Sequence, residues 1–152
     1  MTASGPFADV LARAGLSADT PHETRQLGTD EAMIALIRER ILIGEKTMTF
    51  SLPWLAERTG TAPPEAGRVI VTVDTAGRPD LVLRLQRVRR LAFGQVDASH
   101  LAREGLPMRE PQAWRELHRV VWNAKLAPHG LEVSDDKPVW AEYFECLHPA
   151  PA

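Results

Sequence analysis

The chain has 152 residues, 44% of them hydrophobic and 25% charged, with a formal net charge of −2. That is enough apolar material for one folded domain, and it argues against wholesale disorder. The weak negative charge gives no bulk support for nucleic-acid binding, which must then come from a local patch, and the single cysteine, Cys146, excludes an intramolecular disulfide and a Cys-based metal site.

Residues 1–28 read as an N-terminal helical extension. Phe7, Val10, Leu11 and Leu16 suggest a short helix stopped by Gly15, and Asp19-Thr20-Pro21-His22 reads as a break. Such a helix either packs on the domain or mediates self-association. The first residues lack the basic and long apolar regions of a signal peptide, and no run approaches the ~20 apolar residues of a membrane span. The expectation is a soluble cytoplasmic protein with no membrane contact.

Thr29 is expected to cap a helix, with Asp30 and Glu31 suiting its positive end. Met33, Ile34, Ile37, Ile41 and Leu42 recur at three- and four-residue spacing and form an apolar stripe, and Gly44 ends the helix. The stretch from Gly44 to Ser51 then places Lys46 and the hydroxyls of Thr47, Thr49 and Ser51 just past a helix-to-strand corner. Within a strand over 47–52, Met48, Phe50 and Leu52 fall on one face and the hydroxyls on the other. Pro53 to Arg58 suggests a helical turn, followed by a loop over 59–67.

A hairpin follows, with strands expected over 68–74 and 80–90. Arg84, Arg87, Arg89 and Arg90 gather at one end of it, as a solvated hairpin end or as a phosphate-contacting patch. Asp97 suggests the cap of a short helix through Glu104, closed by Gly105. Pro111 opens a long helix on which Trp114, Leu117, His118, Val121 and Trp122 share one face. Trp114 and Trp122 read as core there, whereas Trp54, in a loop-like stretch, reads as the better base-stacking candidate. A last strand is expected over 139–147, with Cys146 buried and inert in it. Residues 149–152 form a tail.

Taken in order, several motifs resemble an ASCH domain of the PUA-like superfamily: Gly44-Glu45-Lys46-Thr47-x-Thr49, a strand ending at Asp74 with Gly77-x-Pro79, Phe93-x-x-Val96, Ala102-x-Glu104-Gly105, Trp114-Arg115-x-x-His118 and Phe144-Glu145. The resemblance runs over about residues 29–147, so the domain is taken as 29–148. It implies an α+β fold, a small mixed or antiparallel β-barrel with flanking helices. It also implies a role near RNA or modified nucleosides. Some similar members are ribonucleases, and shorter ones hydrolyse the acyl amide of N4-acylated cytidine.

Carried over position by position, the resemblance gives Lys46, Thr49 and Glu104 as the catalytic set. Lys46 would take a proton, Thr49 would supply the nucleophile, and a buried Glu104 would protonate the leaving amine. In a ribonuclease, Lys46 would stabilise phosphate charge instead. Neither route needs a metal or another cofactor. Thr47, Ser51, Trp54, Arg84, Arg115 and His118 complete the site as substrate-binding candidates. The leading expectation is an RNA-directed, metal-independent ribonuclease or RNA-binding protein. The alternatives are the amidohydrolase and a non-catalytic nucleotide-binding module. The chain is longer than the compact amidohydrolases, and it carries the Trp114/His118 helix found in longer members.

Overall fold

The computed structural model describes residues 4–105 and 108–150. Helix α1 (Pro6–Arg13) and strand β1 (Glu23–Arg25) lead into helix α2 (Glu31–Leu42). Strand β2 (Met48–Ser51), helix α3 (Pro53–Thr59) and strands β3 (Val69–Val73) and β4 (Pro79–Ala92) follow. Helix α4 (Ala98–Leu101), helix α5 (Pro111–Leu126) and strand β5 (Pro138–His148) complete the chain. The strands form one sheet in the order β1-β3-β4-β5-β2, in which only the β1–β3 pair is parallel.

The sheet is open, which corrects the closed barrel expected from sequence: β1 and β2 sit at opposite ends of the strand order and do not pair. The two edge strands are short, three and four residues. β4 and β5 pair over almost their whole length, with irregularities near Val82 and between Leu85 and Arg87. Such irregularities bend a strand and increase its twist. Side chains then span the gap that backbone does not: the Arg25 guanidinium on β1 donates to both carboxylate oxygens of Glu142 on β5, at 2.9 and 3.0 Å.

The apolar residues sort by strand periodicity onto the two sheet faces. Met48, Phe50, Val139 and Ala141 pack with Phe93, Trp114, Trp122 and Leu126. Leu81, Leu83, Leu85 and Phe144 pack under Ile41 of α2. Val10 and Leu11 of α1 pack on Val69, Val71 and Val82, so the first helix spends its apolar side on its own domain. The stretch read as an extension belongs to the sheet from Glu23 onward.

Local chemistry explains the shifted boundaries. Asp30, and not Thr29, caps α2, because its carboxylate accepts the Met33 amide at 2.8 Å. The short helix expected to reach Glu104 stops at Leu101, leaving Glu104 in the following turn. Of the expected tail, residues 151–152 lie outside the described residues.

Candidate functional site

The corner after α2 builds the site. Gly44 has φ +77°, and the amides of Glu45 and Lys46 both donate back to the Arg40 carbonyl, at 2.9 and 3.0 Å. The chain therefore doubles back on the helix end and turns Lys46 inward. The Thr47 amide donates to the Arg103 carbonyl at 2.8 Å, which docks the 102–105 turn onto this corner. Gly105 makes the close approach workable: a Cβ there would lie 3.3 Å from the Lys46 Cβ and 3.4 Å from the Arg40 Cβ.

Two remote segments thus bring together a buried ion pair. Lys46 Nζ donates to Glu104 Oε1, and Trp114 Nε1 donates to Glu104 Oε2 at 3.3 Å. Lys46 and Glu104 are only 6% and 5% exposed. Burial raises the Glu104 pKa above the ordinary carboxyl value, with Lys46 and Trp114 pulling the other way. His118 lies on the same helix as Trp114 and stacks on its ring at 4.5 Å. Its Nδ1 pairs with the Trp114 carbonyl at 2.8 Å. Burial lowers its pKa to about 4, against the Trp114 hydrogen bond and helped by the nearby charges of Lys46 and Lys125. The ring is therefore neutral at physiological pH. With Nδ1–H donating to a carbonyl, Nε2 is the acceptor.

Lys46, Thr49, Glu104, Ser51 and His118 all line one cavity of about 360 Å³. That size lies in the ~300–1,000 Å³ range of small-molecule sites. Its walls are mainly apolar, with Met33, Leu36 and Ile37 from α2 facing Leu117, Val121 and Trp122 from α5. Arg25, Arg40 and Lys125 add positive charge around it. The catalytic candidates therefore share one space. Lys46 and Glu104 are bonded, and Thr49 lines the same cavity.

The other substrate-binding candidates stand elsewhere, and each has a physical reason. Trp54 is core and not a stacking platform: Pro53 starts α3, the ring is 8% exposed, and Nε1 donates to the Pro138 carbonyl at 2.8 Å. Arg84 is paired with Glu145 at 2.7 Å on the sheet. Arg115 donates to the Val96 carbonyl at 2.8 Å, tying α5 to the chain before α4. The Thr47 hydroxyl is buried without a partner and lies outside the cavity lining. Trp114 is fully buried, as its spacing predicts. Cys146 is half-buried, and burial raises its pKa, which keeps it in the unreactive thiol form.

Sequence reasoning missed Arg25, Arg40 and Lys125 on the cavity wall, and Glu142 beneath it. Glu142 is fully buried, cross-strand from Thr49, and held by Arg25. Burial works against the Arg25 charge, but Glu142 and Glu23 outweigh it and hold the pKa above its usual value. A signal for Glu142 existed: it is the one charged residue in the alternating set Trp140, Glu142, Phe144. Among the described residues, no three His, Cys, Asp or Glu side chains cluster to hold a metal ion, and no helix is long and apolar enough to cross a membrane.

A family model for the ASCH domain matches residues 23–148. The chain belongs to the ASCH domain family. The match begins at β1, in agreement with the sheet and earlier than the boundary read from the motifs. The fold is that of other ASCH domains. A crystal structure of an ASCH domain from Lactobacillus crispatus JV V101 superposes with a TM-score of 0.80 at 20% identity, covering 95% of this chain and 96% of that one. The crystal structure of a protein from Enterococcus faecalis V583, of a family of unknown function, superposes at 0.77 with 22% identity, covering 92% of this chain and 86% of that one. At such identities the likeness is one of fold. No curated protein matches the chain.

Proposed function

We propose that this ASCH domain is a metal-independent hydrolase that removes the acyl group from an N4-acylated cytidine held in the cavity. The family is often linked to RNA binding. What favours a nucleoside over a strand is the convergence of Lys46, Thr49 and Glu104 on one cavity of ligand size with apolar walls.

The chemistry follows from the pair. In a dry site a lysine–glutamate ion pair can pass its proton inward, giving a neutral amine and a carboxylic acid. The raised pKa of Glu104 favours that exchange. The neutral Lys46 amine takes the Thr49 hydroxyl proton as Oγ1 bonds to the acyl carbon. The carbon–N4 bond breaks, and Glu104 gives its proton to the departing N4. Water then attacks the Thr49 ester: Glu104 takes a water proton, and the Lys46 ammonium returns its proton to Thr49 Oγ1. The set ends as it began.

The test is chromatography of N4-acetylcytidine incubated with the protein in EDTA. Cytidine accumulates with wild type and not with Lys46→Ala. Absence of cytidine with wild type rules the reading out.

A second reading, cleavage of RNA with Lys46 stabilising phosphate charge, is favoured by the cationic lining of Arg25, Arg40, Lys46 and Lys125. It ranks below the first because Arg25 is held by Glu142 and Arg84 by Glu145, so much of the positive charge is answered within the chain. Single-stranded RNA left intact by wild type in EDTA removes it. Saturable nucleoside binding without turnover would mark a binding module instead.

A further inference from the structure

The backbone of β2 carries a feature that the catalytic residues do not use. Thr49, Phe50, Ser51 and Leu52 all line the cavity. Side chains alternate between the two faces of a strand, so three consecutive strand residues, Thr49 to Ser51, share one cavity where it opens on the strand's edge. β2 is the terminal strand of the sheet, with β5 on one side and, among the described residues, no strand on the other.

The register says which groups face outward. The Phe144 amide donates to the Thr47 carbonyl at 3.0 Å, and Met48 stands opposite Tyr143, Thr49 opposite Glu142 and Phe50 opposite Ala141. In an antiparallel pair, hydrogen-bonded and non-hydrogen-bonded positions alternate. The Thr47 carbonyl and the Thr49 backbone groups therefore face β5, with the Thr47 amide spent on the Arg103 carbonyl, while the N–H and C=O of Phe50 point away from β5. Among the described residues no hydrogen bond to either group is seen. Main-chain donors and acceptors at a largely apolar wall need partners. The Ser51 hydroxyl beside them is also buried and unpartnered. Next to this edge stand Trp122 and the neutral His118, whose ring lies 6.4 Å from that of Phe50.

We propose that the free edge of β2 reads the base: the Phe50 N–H and C=O pair with an acceptor and an adjacent donor on the edge of a cytosine-type ring. In cytosine these are N3 and the N4–H. An N4-acyl cytosine keeps one N4–H, so the same edge accepts substrate and product. Main-chain recognition of this kind fixes the face of the ring presented to the catalytic side chains without drawing on any of them. The proposal rests on the nucleoside reading of the cavity and adds which atoms choose the ligand.

The test is amide NMR of the full-length ¹⁵N-labelled protein titrated with cytidine and, separately, with 3-deazacytidine, in which a C–H replaces the N3 acceptor. Cytidine is expected to shift the Phe50 amide proton downfield in a saturable way. The deaza nucleoside is expected to bind at least roughly tenfold more weakly, the scale of one lost hydrogen bond. Saturable binding of cytidine that moves cavity resonances but leaves the Phe50 amide unmoved overturns this inference and spares the nucleoside reading. Equal binding of the deaza nucleoside does the same. Absence of saturable binding by either overturns both.

Discussion

Lys46 and Glu104 lie 58 residues apart and meet as a buried ion pair at the wall of the cavity, with Trp114 holding the second carboxylate oxygen. A buried pair is costly to break, because the surviving charge is left without water or partner. Glu104→Leu and Lys46→Met are each expected to cost about 3–5 kcal/mol of stability. The Lys46→Met/Glu104→Leu double variant is expected to recover most of that loss while remaining inactive. Urea unfolding of the four proteins measures it, and additive losses in the double variant would show that the pair is not coupled.

The same logic applies to Arg25 and Glu142, which join β1 to β5 across the open side of the sheet. Glu142 is fully buried and accepts two hydrogen bonds from Arg25. Arg25→Ala is expected to destabilise the fold by about 3–5 kcal/mol, well beyond the ~0–1 kcal/mol of a surface pair. Thermal unfolding decides it. A loss under 1 kcal/mol would mean that Glu142 finds another partner or takes up a proton.

His118 sets an acid limit. Its folded pKa is about 4, against an ordinary value of 6.5. Between these values the unfolded chain holds more protons than the folded one, so stability falls as pH drops. The contribution is complete above about 6.5 and is lost on the way down to about 4, with a ceiling of roughly 3 kcal/mol. His118→Gln is expected to flatten this part of the curve. Denaturant midpoints at pH 7.5 and 4.5 give the comparison, and an unchanged slope in the variant would contradict the assignment.

Trp54 separates structure from recognition. Its indole donates to the Pro138 carbonyl inside the core. Trp54→Phe is expected to cost stability by about 1–3 kcal/mol, through the unpaired carbonyl and lost volume. Cytidine affinity, read by titration calorimetry, should stay within about twofold. A tenfold loss of affinity at unchanged stability would return Trp54 to the binding surface.

Some of the fold and site was legible in the residues, and particular reasons explain what was not. The apolar stripe of α2 and the Gly44 corner follow from spacing and from glycine's access to positive φ, so the place of Lys46 is legible in the residues. The alternation of Met48, Phe50 and Leu52 gave one face of β2. Glu104 came from the family motif, and its place in a turn after α4 depends on a backbone bond between Thr47 and Arg103 that spacing does not encode. Arg25 is not legible in the residues because a three-residue strand has no readable period. The helical turn at Pro53 is readable, but the burial of Trp54 is not, because its indole partner, the Pro138 carbonyl, lies 84 residues away. The barrel expectation failed on closure, which depends on how far β4 and β5 bend.

The most direct measurement is the initial rate of cytidine release from N4-acetylcytidine by wild type, Thr49→Ser and Thr49→Val. The geometry predicts turnover by wild type, retained activity with serine, and a loss of at least about a hundredfold with valine, which keeps the shape and removes the nucleophile. Valine turning over at the wild-type rate, or no release by wild type, would contradict the account.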